Sequence, residues 1–215
     1  MAIDPYEHLR AAIVSGGLQP NERLVEADLV SSLGVRRTAL RAALVQLVHE
    51  GLVEHERNRG AKVRLVGESE AVEILETRAA LEGLIARKAA ENATADDVAK
   101  LQEILESMRA YRDDGDLVAA SDANTGLHAA IVRIAGHRTA ARLVSTLNSQ
   151  IVRFQYRTIL QPGRPERSLA EHGAIVEAIA AGDGDAAEAA MRAHLLSVAQ
   201  ALRSASARDA RSEPA

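Results

Sequence analysis

Residues 33–44 read Leu33-Gly-Val-Arg-Arg-Thr-Ala-Leu-Arg-Ala-Ala-Leu44, and this stretch decides the fold of the N-terminal part. A short turn at Gly34 leads into a helix whose apolar residues Leu40, Leu44 and Leu47 recur at helical spacing and face a core. The arginines lie at the start of this helix and partly on its opposite face. A helix that packs on one side and carries clustered arginines at its N-terminus can enter the major groove of DNA. A surface helix with solvated charges is the alternative.

The sequence on both sides of this stretch supports the DNA-binding interpretation. Apolar spacing predicts two further helices before it, over residues 6–14 and 26–33, so that the second and third helices form a helix-turn-helix. After it, residues 52–66 alternate between apolar and polar around a basic tip that contains Arg59 and Gly60, which predicts a β-hairpin. Such a wing can bring Arg59 and Gly60 close to the DNA backbone. A hairpin that is simply exposed to solvent is the alternative.

Composition and charge narrow the class of protein. Aromatic residues make up only 2% of the 215 residues, which suits helices better than β-sandwiches, and the absence of cysteine excludes disulfides and thiolate metal sites. No apolar run approaches the roughly 20 residues of a membrane span. The net charge of −4 argues against an indiscriminate nucleic-acid binder, but residues 1–66 are near neutral and the remainder is acidic. We expect a cytoplasmic protein without membrane contact, whose DNA binding depends on a few placed arginines.

Helix follows helix in the C-terminal part of the sequence. After a short polar linker at 67–70, helical periodicity continues to residue 205, and a small polar tail at 206–215 is expected to be disordered. The predicted helices span residues 69–91, 94–113, 116–135, 138–160, 166–181 and 184–205. The expected fold is mainly α, with a winged helix-turn-helix of three helices plus a β-hairpin at 1–66, followed by an all-α antiparallel helical bundle at 71–205.

Three histidines of the helical part stand in similar surroundings. His128, His172 and His194 each lie on a predicted helix, and Asn124 precedes His128 by one turn, so that both project from one helix face. Imidazoles that point into a bundle interior of Ala, Leu, Ile and Val are unfavourable unless their nitrogens are satisfied. One divalent cation would satisfy all three, and imidazole suits Zn, Ni, Fe or Cu. Surface histidines, or core histidines with ordinary hydrogen bonds, are the alternatives.

The segment 6–66 carries an extended sequence motif. Its matching positions are Leu9, Arg10, Ile13, Gly17, Leu18, Pro20, Leu24, Leu33, Gly34, Val35, Arg37, Thr38, Arg41, Ala43, Leu44, Gly51, Leu52, Gly60 and Val63. This pattern resembles the winged helix-turn-helix domain of the GntR family of bacterial transcription regulators. The resemblance implies DNA contacts by Arg37, Thr38 and Arg41. Arg36 replaces a serine that caps the recognition helix in the family, which we interpret as a further phosphate contact or a change of operator preference, with a weakened cap.

A second set of motifs lies between about residues 70 and 205. These are Asn124-Thr-Gly-Leu-His128, Glu171-His172-Gly-Ala-Ile175 followed by Ala178-Ile179 and Gly182-Asp183, and Met191-Arg-Ala-His194-Leu195. They resemble the FCD effector domain of the FadR subfamily of GntR regulators, whose metal-binding members carry the three histidines and an aspartate. The resemblance implies a divalent metal, Zn or Ni, held by Asn124, His128, His172 and His194. Because Asn124 replaces the aspartate, the site loses one negative charge and some affinity for hard cations.

Ligand contacts are expected beside this pocket. Arg78 lies between Glu76 and Glu82 in a segment that resembles the first helix of the same effector domain, and its guanidinium would bind an organic acid bidentately. An ion pair between Arg78 and Glu82, four residues further on, is the alternative, and both can hold. Arg153 and Tyr156 are further candidates for ligand contact.

The sequence therefore predicts a ligand-responsive DNA-binding transcription regulator, not an enzyme. A homodimer would present two recognition helices to a pseudo-palindromic operator in double-stranded DNA, and a small carboxylic acid in the metal-containing pocket would modulate that binding. The alternatives are the same regulator with a metal-free effector pocket, and a three-histidine metalloenzyme. Against the enzyme, no carboxylate is evidently placed as a general base, since Glu171 is expected to point elsewhere on its helix. His137 is expected to lie in a loop or cap a helix.

Overall fold

The computed structural model of the chain divides it into two compact units. One comprises the residues up to Gly67 together with Asn148–Arg153, and the other comprises the remainder. The structure describes residues 3–56, 59–159, 161 and 163–212, except the side chains of 153, 155–159 and 205–212. Helices dominate both units, and the one small sheet among the described residues belongs to the first.

The first unit has three N-terminal helices and a small antiparallel sheet. Its elements are α1 Pro5–Val14, β1 Arg23–Leu24, α2 Glu26–Leu33, α3 Arg37–His49, β2 Val53–Glu56 and β3 Gly60–Val63. The strand order is β1-β3-β2, with Val53 opposite Val63 and Leu24 opposite Ala61. The predicted winged helix-turn-helix is confirmed. The additional strand β1 escapes sequence reasoning because two residues are too few to show an alternating pattern.

The core of this unit forms on the apolar face of α3. Leu40, Leu44 and Leu47 are all buried there, against apolar residues of α1 and the sheet. At Gly34 the backbone takes a φ of 64°, a left-handed conformation that favours glycine, and its N–H donates to the Val30 carbonyl to end α2. This turn and this packing together fix α3 so that its opposite face is exposed.

The helices after the sheet belong mainly to the second unit. They are α4 Glu68–Asn92, α5 Ala95–Asp113, α6 Leu117–Ala135, α7 Arg138–Ile159, α8 Arg164–Ala180 and α9 Gly184–Ser212. α4 contacts α6, α8 and α9. A Cβ at Gly83 of α4 would lie 2.7 Å from Cγ of Arg192 on α9, so the glycine permits a close approach of these two helices. None of the described helices combines the length and the apolarity that crossing a membrane requires.

Two of the predicted boundaries are wrong. The linker at 67–70 is mostly helical, since α4 begins at Glu68, and Glu68 and Glu70 in its first turn interact favourably with the helix dipole. The tail that was expected to be disordered from 206 continues α9 as far as Ser212, in a segment rich in the helix formers alanine and arginine. The last three residues lie outside the described chain.

Candidate functional site

Three histidines from three helices converge in the interior of the second unit. α6 carries His128, α8 carries His172 and α9 carries His194; each offers one ring nitrogen, and these nitrogens all lie within 4.8 Å of one another. The Nε2 atoms of His128 and His172 are 3.3 Å apart. His172 is 0% exposed and His194 is 4% exposed, so the cluster is nearly sealed from solvent. The fold thus brings together the three histidines that the sequence singles out.

A buried carboxylate on α4 fixes the ring of His128. Glu82 Oε2 lies 2.8 Å from His128 Nδ1, and Glu82 Oε1 accepts a hydrogen bond from Arg78 at 2.7 Å. Because a carboxylate only accepts, Nδ1 of His128 carries a proton, and in the neutral ring Nε2 presents a lone pair to the cluster. Burial by itself would raise the pKa of Glu82, but Arg78 and His128 outweigh it and hold that pKa at about 2.

A second carboxylate acts on His194 in the same way. Glu171 Oε2 lies 2.8 Å from His194 Nδ1 and accepts a hydrogen bond from Arg164 at 2.9 Å. Burial would raise the pKa of Glu171, yet hydrogen bonds from His194, Ser197 and Arg164 hold it at about 2. The expectation that Glu171 points away from the site is wrong, because α8 packs on α9 and this side chain reaches across to it.

His172 is the least constrained of the three rings. Its Nδ1 lies 3.4 Å from Ser168 Oγ, and a hydroxyl can either donate or accept. The ring can therefore present at Nε2 either a proton, directed at His128, or a lone pair. Burial lowers the pKa of His172 well below its ordinary value, and burial lowers that of His194 to about 4. At neutral pH both rings are uncharged, which is the form that binds a metal ion.

Asn124 lies one turn before His128 on α6 and has a buried amide oxygen. This Oδ1 atom has no hydrogen-bond partner among the described residues. Native proteins rarely leave a buried polar atom unsatisfied, because the cost of desolvating it is not recovered. An amide oxygen and three imidazole nitrogens are donors that Zn or Ni accepts. The residues present are therefore compatible with a divalent cation.

The remaining predictions for this unit concern three residues expected to contact a ligand and one histidine expected to lie in a loop or cap a helix. Arg78 is buried, and its guanidinium pairs with Glu82 at 2.7 Å, so the intrahelical ion pair is formed. The side chains of Arg153 and Tyr156 lie outside the described residues. His137 takes the second of its two expected roles and caps a helix. Its Nδ1 accepts a hydrogen bond from the backbone N–H of Ala140, in the first turn of α7, at 3.3 Å.

Sequence reasoning misses the residues that support the histidines, namely Glu82, Glu171, Arg164 and Ser168. A detectable signal exists for Glu82 because it stands on the buried, alanine-rich face of α4, where a charged side chain requires a partner. Arg164 and Glu171 lie seven residues apart on α8, a spacing of about two helical turns that places them on one face. Nothing in the sequence indicates which histidine each carboxylate faces.

The N-terminal end of α3 in the first unit is an exposed basic surface. Arg37, Thr38 and Arg41 are exposed, and Arg36 precedes the helix in an extended conformation without a side-chain capping hydrogen bond. The cap is thus weak, and the Arg36 side chain takes no part in it. Arg41 Nε lies 3.0 Å from a carboxylate oxygen of Glu26 on α2, in a pair that solvent reaches.

The hairpin presents Arg59 and Gly60 to solvent. Gly60 has a φ of 84°, in the left-handed region, and the Arg59 guanidinium lies 4.0 Å from Glu56. Behind the tip, Lys62 Nζ lies 3.1 Å from Glu54 and 2.7 Å from Glu56. Because the pair between Arg59 and Glu56 is long and exposed, it contributes little and can be exchanged for a phosphate contact.

An exposed arginine-bearing helix beside a hairpin is the geometry of a winged helix-turn-helix DNA-binding domain, and in this chain a separate helical unit accompanies it. Family comparison agrees with this geometry: the model described as "Bacterial regulatory proteins, gntR family" matches residues 5–63, and the model "FCD domain" matches residues 73–197. The second match alone covers more than half of the chain. The chain belongs to the GntR family of bacterial regulatory proteins and carries an FCD domain.

Curated relatives support the same assignment, and a solved structure shares the fold. The chain is 30% identical to the transcriptional regulator LutR of Bacillus subtilis, covering 88% of this chain and 95% of the relative. It is 27% identical to the transcriptional repressor RspR of Escherichia coli, covering 92% and 87%. The structure of E. coli McbR/YncC superposes with a TM-score of 0.74 at 22% identity, covering 93% and 95%. The chain is therefore a DNA-binding transcriptional regulator of the GntR and FCD type and not an enzyme, as its sequence predicts.

We predict that Glu82→Gln lowers the free energy of unfolding by about 3–5 kcal/mol, because it leaves the buried Arg78 guanidinium without its counter-charge. The side-chain volume hardly changes, so a packing defect does not account for such a loss. Urea denaturation of the full chain measures the effect. The control Glu73→Gln, at an exposed position of the same helix, should change the stability by less than about 0.5 kcal/mol. Equal stability of the two variants would contradict a stabilising role for the buried pair.

Proposed function

We propose that this regulator adjusts its affinity for operator DNA according to a small organic acid, which binds in a metal-containing pocket of the helical unit. His128, His172, His194 and Asn124 would hold the metal. The observation that carries this proposal is the convergence of three imidazoles, together with a buried, unpartnered amide oxygen one helical turn before His128. Without a further ligand, the Asn124 amide oxygen remains desolvated and unsatisfied.

The two outer carboxylates support a metal centre. Metal-bound histidines commonly donate their other N–H to a carboxylate, which fixes the ring and makes the free nitrogen a better donor. Glu82 and Glu171 stand in that position for His128 and His194. The metal, Zn or Ni, would supply a Lewis acid that binds a carboxylate of the effector.

Arg78 remains a candidate for direct contact with the effector. Its ion pair with Glu82 engages Nε and Nη2. A guanidinium has five N–H donors, so the same side chain can bind a carboxylate as well. Its second role is to keep Glu82 ionised and thereby to orient His128.

The output of the regulator is the basic end of α3. In a homodimer, two copies of α3 would contact the two halves of a pseudo-palindromic operator. Arg37 and Arg41 would read base edges or set the register, while Arg36, Thr38 and the wing tip would contact phosphates or base edges. The effector changes operator affinity to the extent that it binds two states of the dimer unequally.

A pocket without metal is the second candidate, and one observation favours it. The 3.3 Å separation of the Nε2 atoms of His128 and His172 is within hydrogen-bonding distance. Such a bond forms if His172 carries its proton on Nε2 and the Ser168 hydroxyl donates to Nδ1. The three histidines would then hydrogen-bond one another or the effector directly.

Metal binding separates these two candidates. Protein purified without a His tag and stripped with a chelator should be stabilised when Zn²⁺ is added. Its free energy of unfolding should rise by about 2.7 kcal/mol at a free Zn²⁺ concentration 100-fold above Kd. His128→Ala should lose that gain, because it removes one of three imidazoles. The control His8→Ala, at an exposed position of α1, should keep it. An absence of metal-dependent stabilisation in the unmodified chain would favour the metal-free pocket.

DNA recognition is tested at Arg41. Arg41→Ala should weaken binding to a selected operator by about 1–3 kcal/mol per half-site, while non-specific binding at the same salt concentration changes little. Fluorescence anisotropy measures both affinities, and circular dichroism with sedimentation verifies that the chain is folded and its oligomeric state unchanged. The control Arg109→Ala removes an exposed arginine from α5. A retained sequence-specific footprint for Arg41→Ala would count against the proposed role.

A further inference from the structure

The donors that surround the proposed metal are all uncharged. A histidine binds a metal through the lone pair of a neutral ring, so the nitrogens of His172 and His194 that converge in the cluster bring no charge to it. The same holds for His128, whose Nδ1 faces Glu82 so that Nε2 is the nitrogen left for a metal. Asn124 offers an amide oxygen, which carries no charge. A divalent cation in this cluster therefore keeps its full charge of about +2, unreduced by the atoms that bind it.

The charged groups that contact these histidines cancel one another. Glu82 pairs with Arg78, and Glu171 pairs with Arg164, each within 3 Å. Among the described residues, Glu82 and Glu171 are the ionised groups that hydrogen-bond the three rings. Each pair sums to zero, so the surroundings offer no surplus negative charge to the metal.

A buried dication without compensation is unfavourable, because charge in a medium of low dielectric constant loses most of its solvation. The compensating charge has to arrive with the ligand. A monoanion leaves one positive charge buried, whereas a dianion neutralises the site. A ligand with two carboxylates can place two oxygens on the metal beside the four protein donors.

From this charge balance we infer that the pocket selects a small dicarboxylate, and that metal and dicarboxylate bind cooperatively. The inference rests on the proposed function, since it assumes the metal centre described above. Asn124 is the specificity-determining residue, because it is the donor whose replacement by a carboxylate would supply the missing charge at constant size. By linkage, the dicarboxylate raises the affinity of the metal by the same factor as the metal raises the affinity of the dicarboxylate.

Calorimetric titration of the full chain with Zn²⁺ tests this inference. Malonate and lactate are suitable probes, because each chelates a metal through two oxygens and they differ by one charge. Saturating malonate should raise the Zn²⁺ affinity of the native chain by about tenfold or more over saturating lactate, after correction for metal bound to the free anions. Asn124→Asp should bind Zn²⁺ about tenfold more tightly without any anion, and its preference for malonate should shrink or vanish.

The surface substitution Gln102→Glu, on the exposed side of α5, is the control for net charge. It makes the same amide-to-carboxylate change, and it should behave as the native chain does. Equal Zn²⁺ affinities of the native chain in malonate and lactate would overturn the inference while leaving the metal centre in place. An Asn124→Asp variant that keeps the native preference for malonate over lactate would also overturn the inference. If folded native and Asn124→Asp chains bind no Zn²⁺ with either anion, the metal centre itself fails and the inference fails with it.

Discussion

The interior of the helical unit depends on two largely buried chains of arginine, carboxylate and histidine. One runs from Arg78 through Glu82 to His128, and the other from Arg164 through Glu171 to His194. Each arginine keeps its carboxylate ionised, and each carboxylate fixes the tautomer and the orientation of an imidazole. Removing any member leaves a buried charge or a buried polar atom without its partner. The arrangement therefore stabilises the bundle and is also the basis of the proposed metal site.

These chains are charged or polar, whereas the surrounding bundle packs small apolar side chains closely. The helices are rich in alanine, and they approach closely where Gly83 of α4 faces α9. Close packing of small side chains excludes water, which makes every polar contact in the interior stronger and every missing one more costly. The buried oxygen of Asn124 matters for that reason. On an exposed helix an amide without a partner would have no significance, whereas the buried oxygen of Asn124 is available as a donor for the proposed metal.

Much of the fold follows from the sequence because its determinants are local. Helical periodicity and the glycine stops give the helices to within two residues in most cases, and the turn at Gly34 with the apolar face of α3 gives the helix-turn-helix. The wrong boundaries are the linker and the tail, where polar residues that suit a loop equally suit a helix end. The sheet gains an unpredicted strand, β1, because its pairing with β3 is a tertiary contact.

The site is predictable only in part. Spacing and motif resemblance single out His128, His172 and His194, but the supporting carboxylates come from positions 46 and 23 residues away along the chain. Periodicity assigns a residue to a helix face and does not say which helix that face meets.

The proposed metal centre consists of these three histidines and Asn124. Anomalous diffraction from crystals of the Zn²⁺-loaded chain tests it most directly. We expect a single peak within bonding distance of three imidazole nitrogens and the Asn124 oxygen, whereas a peak elsewhere, or none at saturating Zn²⁺, would contradict this metal centre.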